Sequence, residues 1–217
     1  MKKRLMTVIL ATATALVLGA CGFAIPVNGD GEQPEVTEEP VSTPTDASWD
    51  GDPDTDRNYV APGDYMVFEL PEGWDEDSNW HEGHGEYCYA PGGDSSFAES
   101  VITVKREFVG YDARGMEDLM QSQSALDQIR DSFATKLETA EELATLKLED
   151  YGNTVLGACL KVSYQMNMHE DYCVYNEVYY MSDNGYMYVL HLLYSSDAAV
   201  ENPTGIVENI LATAEVR

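Results

Sequence analysis

Apolar residues recur along the second half of this chain with two different periods, and the changes between them mark out its elements. Tyr65-Met66-Val67-Phe68-Glu69-Leu70 alternates, with Met66, Phe68 and Leu70 to one side, and predicts a strand. Pro71-Glu72-Gly73-Trp74 ends it as a turn, because proline fixes φ and glycine frees the backbone. Glu86 to Ala90 predicts a short strand closed by Pro91-Gly92-Gly93. Ser100 to Phe108 predicts a longer one, with Ile102, Val104 and Phe108 facing a core and Thr103, Lys105 and Glu107 facing water. From Asp112 the period turns helical. Met116, Leu119, Met120, Leu126, Ile129, Phe133 and Leu137 share one face, which predicts a single long helix ending between Ala134 and Leu143.

Strands then return. Ala144 to Leu148 is a short candidate, and Val155 to Met168 alternates with Leu156, Ala158, Leu160, Val162, Tyr164 and Met166 on one face. Tyr172 to Met181 and Tyr186 to Tyr194 flank Ser182-Asp183-Asn184-Gly185, and Asn-Gly between two such runs is a strong hairpin signal. The second of these runs is apolar on both faces, which predicts a central strand covered on both sides. Asn202 and Pro203 open a final helix that buries Ile206, Val207, Ile210 and Leu211.

Upstream the pattern is absent. From Gly22 to about Pro62, five of the nine prolines (Pro26, Pro34, Pro40, Pro44 and Pro53) precede Pro62 among Glu, Asp, Thr, Gly and Ser. Such a segment has too little apolar surface to offset its ordering entropy, so it reads as a disordered, charge-extended tether. Residues 1–20 have a basic start (Lys2, Lys3, Arg4), an apolar run from Met6 to Val17 and small residues before Cys21, the parts of a secretory signal. Leu18-Gly19-Ala20-Cys21 resembles a bacterial lipobox. That resemblance implies that the Cys21 thiol is lipidated, that the preceding peptide bond is cut, and that two acyl chains hold the protein on the outer face of the cell membrane. Each buried CH₂ contributes roughly 0.8 kcal/mol. The chain thus divides into a signal peptide (1–20), a tether (21–62) and one folded domain (63–217).

Charge sharpens this picture. The 217 residues hold 12 Lys and Arg against 39 Asp and Glu, for a net charge of −27, and loss of the three basic residues ahead of Cys21 takes it to −30. Nucleic acid is excluded as a partner, since its phosphates would be repelled. Flat contact with anionic lipid is disfavoured for the same reason, so membrane attachment falls to Cys21.

The order of elements and the run Phe68-Glu69-Leu70-Pro71-Glu72-Gly73-Trp74 resemble the PsbP-like fold. The resemblance covers about Tyr65 to Val216 and implies an α+β domain, an antiparallel β-sheet sandwiched between α-helices. It carries over no binding residue, and a shared fold does not fix function.

Candidate chemistry is sparse. Three cysteines remain after Cys21 (Cys88, Cys159 and Cys173), which allow at most one disulfide. His81-Glu82-Gly83-His84-Gly85-Glu86-Tyr87-Cys88 collects possible metal ligands without either usual zinc spacing, and His169 sits in polar company. His191 lies among Val189, Leu190, Leu192 and Leu193, as a core histidine would. Asp50-Gly51-Asp52-Pro53-Asp54-Thr55-Asp56 begins like a calcium loop and then departs from it, with Thr55 and Ala61 where glycine and glutamate belong. Gly-x-Ser-x-Gly and phosphate-loop patterns are missing, so no enzyme and no cofactor are expected. The tyrosines are the feature to follow: seven of fourteen lie from Tyr172 onward. Trp74, Trp80, Tyr175, Tyr179, Tyr186 and Tyr188 form the candidate binding face. The expected role is a lipid-anchored, non-enzymatic protein that meets a protein or envelope component. The alternative is a small-ligand or divalent-cation-binding lipoprotein that uses the same face or the His81–Cys88 loop.

Overall fold

The computed structural model describes residues 58–80, 86–96, 98–110, 115–169, 172–198 and 202–217. The signal peptide, Cys21, the Asp50–Asp56 run, Asp112, and His81, Glu82 and His84 lie outside the described residues.

Described strands are β1 (Asn58–Val60), β2 (Met66–Leu70), β3 (Trp74–Glu76), β4 (Tyr87–Pro91), β5 (Ser100–Phe108), β6 (Lys147–Thr154), β7 (Gly157–His169), β8 (Tyr172–Asp183), β9 (Tyr186–Ser195) and β10 (Glu215–Val216). Helices are α1 (Met116–Met120), α2 (Gln123–Ala134), α3 (Ala140–Thr145) and α4 (Pro203–Thr213), and Pro62–Asp64 forms a 3₁₀ turn. Seven strands make one antiparallel sheet in the order β3-β4-β5-β9-β8-β7-β6, and β1-β2-β10 make a smaller one. The fold is mostly antiparallel sheet with a few helices.

Strand β9 is flanked by β5 and β8, which explains why its sequence is apolar on both sides. Its alternate residues enter different cores. Tyr188, Leu190 and Leu192 pack with Ile206, Val207, Ile210 and Leu211 of α4 and with Met66, Phe68 and Leu70 of β2. Val189 packs with Met116, Leu119, Ala125 and Phe133 of α1 and α2, together with Val162, Tyr164, Val178 and Tyr180 of β7 and β8. A third cluster gathers Trp80, Cys88, Ala90, Val101, Tyr172, Val174 and Leu193. The β8–β9 hairpin turns at Asn184 and Gly185 with φ of 49° and 80°, the left-handed pair that a two-residue hairpin requires. In α4, Asn202 Oδ1 accepts from the Gly205 backbone N–H at 3.1 Å, with Pro203 in the first turn.

The expected single long helix is instead three short ones. Ser122 holds an extended backbone between α1 and α2. A capping box at Thr139 starts α3 afresh, where Thr139 Oγ1 accepts from the Glu142 N–H and Glu142 Oε2 accepts from the Thr139 N–H, both at 3.1 Å. The strand expected at Ala144 to Leu148 is displaced, since Ala144 and Thr145 finish α3 and the strand runs from Lys147 to Thr154. As an edge strand with largely accessible side chains, β6 has little reason to alternate. Leu156 leaves its expected face for the α4 core, because Val155 and Leu156 form the turn before β7 begins. Strand β1 pairs on β2, with Asn58 opposite Leu70 and Val60 opposite Phe68. The thiols of Cys88, Cys159 and Cys173 are all free.

Candidate interaction site

Tyr175, Tyr179, Tyr186 and Tyr188 of the candidate face project to one side of the large sheet. Tyr175 and Tyr179 of β8 lie opposite Tyr194 and Leu190, while Asp183 and Met181 lie opposite Tyr186 and Tyr188. That side of the sheet carries α4 and β2, so most of it is closed. Tyr179 and Tyr188 are buried in the α4 core, as is Trp74. The Tyr179 hydroxyl donates to Glu177 Oε2 at 2.7 Å, and burial followed by that carboxylate raises its pKa. Trp80 is buried in the third cluster and donates from Nε1 to Glu86 Oε1 at 3.2 Å. Tyr175, half-buried, stacks on Tyr194 with ring centroids 5.0 Å apart. Burial suits the large apolar bodies of these rings, and the polar tips of Tyr179 and Trp80 find the Glu177 and Glu86 carboxylates.

What remains open is the end of this face, where β5 runs beyond its cover. Arg106 lies opposite Tyr188, and Phe108 opposite Tyr186. The Arg106 guanidinium carbon sits 4.5 Å from the Tyr65 ring centroid and 4.7 Å from that of Tyr186. Tyr186 in turn meets Phe108 edge-on at 5.2 Å. A chain of contacts Tyr65–Arg106–Tyr186–Phe108 therefore runs from the core out to water. Phe108, expected on the buried face, is 52% exposed, and Val109 beside it is 39% exposed.

Tyr65 anchors the inner end. Its ring lies 6.2 Å from Tyr87 and 6.1 Å from Tyr188, and its carbonyl accepts from the Arg217 N–H at 3.1 Å. Burial, followed by Tyr87, raises the Tyr65 pKa against the opposing pull of Arg106. Gly63 makes this seat possible. Its φ is +54°, and a Cβ there would come within 2.8 Å of the Tyr65 ring. At the outer end, the Val109 N–H donates to Gly185 O at 2.9 Å and ties β5 to the hairpin turn. The ion pairs among the described residues are Lys105–Glu107 and Lys161–Glu177, and Arg106 belongs to neither.

A second polar feature crosses the sheet on its other side. Cys88 pairs with Thr103, Thr103 with His191, and His191 Nε2 lies 3.0 Å from Asn176 Oδ1. A thiol, an imidazole and a carboxamide together invite a catalytic reading, but all are sealed from water. Burial, followed by the Asp77 charge, pushes the Cys88 thiol up, so it stays protonated and is no nucleophile. Burial, followed by the Lys136 charge, lowers His191 to about 3. Among the described residues no three His, Cys, Asp or Glu side chains converge where a metal could sit.

Sequence reasoning found Tyr186 and Tyr188 and missed Tyr65, Arg106 and Phe108 as members of one constellation. A signal was present. Arg106 alternates with Ile102 and Val104 and so puts a cation on the apolar face of its strand.

No protein-family model matches the chain, and no curated protein does. Solved structures resemble it at 10% identity. A Bacteroides thetaiotaomicron protein matches over 74% of this chain with a TM-score of 0.46, and the match spans about half (48%) of that protein. A point mutant of Mog1 matches over 75% of this chain and 96% of its own with a TM-score of 0.45. Cyanobacterial PsbP from Synechocystis matches over 73% and 94% with a TM-score of 0.39. LpqN, a Mycobacterium tuberculosis protein involved in cell envelope biogenesis, matches over 77% and 87% with a TM-score of 0.31. Likenesses this distant say nothing about ligand or partner.

Proposed function

We propose that this is a lipid-anchored protein of the bacterial cell membrane, held on the extracytoplasmic face by Cys21. Its domain, an antiparallel sheet laid between helices in the PsbP-like manner, serves non-enzymatic recognition of a protein or envelope component. One observation carries the reading: Leu18-Gly19-Ala20-Cys21 directly follows a basic start and an apolar run, and an acidic, proline-rich segment separates it from the domain. The exposed end of the Tyr65–Arg106–Tyr186–Phe108 chain of contacts supports recognition, since arginine and aromatic residues are enriched where binding energy concentrates.

Fractionation of cells that express the chain tests the anchor. The wild-type protein should sediment with membranes and Cys21→Ala should leave them, and a Cys21→Ala form still in the membrane fraction would end the proposal. A small-ligand or divalent-cation role is the second reading, favoured by His81, Glu82 and His84 in the His81–Cys88 run, whose Cys88 itself is buried. A rise in melting temperature with Ca²⁺ or Zn²⁺ would bring it forward.

A further inference from the structure

We infer that the exposed end of the Tyr65–Arg106–Tyr186–Phe108 chain of contacts docks a short peptide segment carrying one carboxylate beside an apolar side chain. The inference rests on the recognition role proposed above and gives it a contact surface.

Charge argues for the carboxylate. In a chain with 39 acidic residues against 12 basic ones, a given cation is surrounded by potential partners. Arg106 is nevertheless exposed and has no ion pair among the described residues. Contacts at 4.5 and 4.7 Å with two tyrosine rings hold it in place. A guanidinium packed on aromatic rings keeps its N–H donors at its edge, where a carboxylate is received side-on with two parallel hydrogen bonds. Its ordering entropy is already spent, which favours capture of an incoming anion.

Apolar exposure argues for the neighbouring side chain. Phe108 at 52% and Val109 at 39% are consecutive, and both border the Tyr186 ring or the hairpin turn. The Val109 N–H is already committed to Gly185 O on the β9 side, so at that residue a docked peptide meets the side chain. The net charge of −27 argues against polyanions such as nucleic acid or highly acidic polymers, which the whole surface repels. A single acid within an otherwise apolar segment meets both conditions.

The test is an NMR titration of the ¹⁵N-labelled whole chain, carrying Cys21→Ser to keep it free of lipid, with the blocked tripeptide Phe-Glu-Phe and its Phe-Gln-Phe counterpart. Phe-Glu-Phe should shift the amide signals of Arg106, Phe108, Val109 and Tyr186. Phe-Gln-Phe should bind about fivefold more weakly or worse, and Arg106→Gln should weaken Phe-Glu-Phe binding about tenfold or more. Should Arg106→Gln fail to fold, Phe108→Ser at the exposed end carries the same comparison, with a loss of about fivefold expected. Equal binding of the two peptides, shifts confined to other regions, or no shifts at all would overturn the inference. Because the titration is free of lipid, its failure alongside correct Cys21-dependent fractionation removes this surface only and leaves the anchored-protein reading standing.

Discussion

Lys161 and Glu177, on neighbouring strands β7 and β8, form an ion pair of 3.1 Å between Nζ and Oε2, with only 14% and 10% of their side chains exposed. Glu177 also accepts from the Tyr179 hydroxyl at 2.7 Å and from the Thr204 hydroxyl at 3.1 Å, so the pair joins the sheet to the first turn of α4. Removal of one member of such a pair leaves a charge stranded in low dielectric, at a typical cost of about 3–5 kcal/mol. Two hydroxyl donors remain to Glu177, which places Lys161→Met near the lower end. Combining it with Glu177→Gln, whose amide oxygen still accepts from Tyr179 and Thr204, should restore most of the loss. Urea denaturation of the single and double variants measures this, and a double variant less stable than Lys161→Met would contradict it.

The buried His191 predicts sensitivity to acid. Its pKa is lowered from 6.5 to about 3 in the folded state by burial and then by the Lys136 charge, while Asn176 faces it across the strands. The unfolded chain therefore takes up the proton first. This contribution to stability is complete above about pH 6.5 and is lost as pH falls towards 3. Between pH 7 and pH 5 the wild-type chain should lose about 2 kcal/mol more than His191→Gln. General relief of the −27 charge on acidification is common to both proteins and cancels in the difference. Parallel stability–pH curves would show the imidazole to be silent.

Glu142 is expected to matter more than an ordinary helix-cap residue. Its Oε2 accepts from the Glu138 and Thr139 N–H groups, and its Oε1 accepts from the Asn167 N–H at 2.6 Å, where β7 and β8 shift register. Burial alone would raise its pKa, but the backbone donors of Asn167, Glu138 and Thr139 outweigh it and the pKa is lowered. Stability from this group is accordingly lost as pH falls through the carboxylate range. Thr139→Ala should cost about 1 kcal/mol. Glu142→Ala should cost clearly more, about 2–3 kcal/mol, because three N–H groups lose their acceptor. Equal melting temperatures for the two variants would refute the bridging role.

Gly63 and Gly73 separate backbone strain from collision. Both have positive φ, +54° and +77°, but a Cβ at Gly73 meets nothing within 4 Å, while one at Gly63 comes within 2.8 Å of the Tyr65 ring and 2.9 Å of the Tyr87 hydroxyl. Gly73→Ala should cost about 1 kcal/mol from the left-handed backbone alone. Gly63→Ala should cost that and a further 1–2 kcal/mol, roughly, from displaced aromatic packing. Tyrosine fluorescence should change for Gly63→Ala only. Identical behaviour of the two substitutions would mean that Tyr65 adapts freely.

The sequence by itself determined the elements whose physics is local. Ser100–Phe108 alternates, Asn184-Gly185 can adopt the left-handed turn, and Asn202-Pro203 can start a helix, so β5, the β8–β9 hairpin and α4 stand where the pattern puts them. The double-sided apolarity of Tyr186 to Tyr194 likewise required the central place of β9. Tertiary structure decided the rest. Asn58–Val60, Trp74–Glu76 and Glu215–Val216 are strands only because a partner strand supplies their hydrogen bonds, and runs of two or three residues are too short for a period to show. One apolar helical face could not reveal where Ser122 and Thr139 interrupt it. The same limit applies to the tyrosines. Composition marks a ring as able to lie inside or at a surface, and only the placement of α4 and β2 buries Tyr179 and Tyr188 while leaving Arg106 and Phe108 to meet water at the end of the same face.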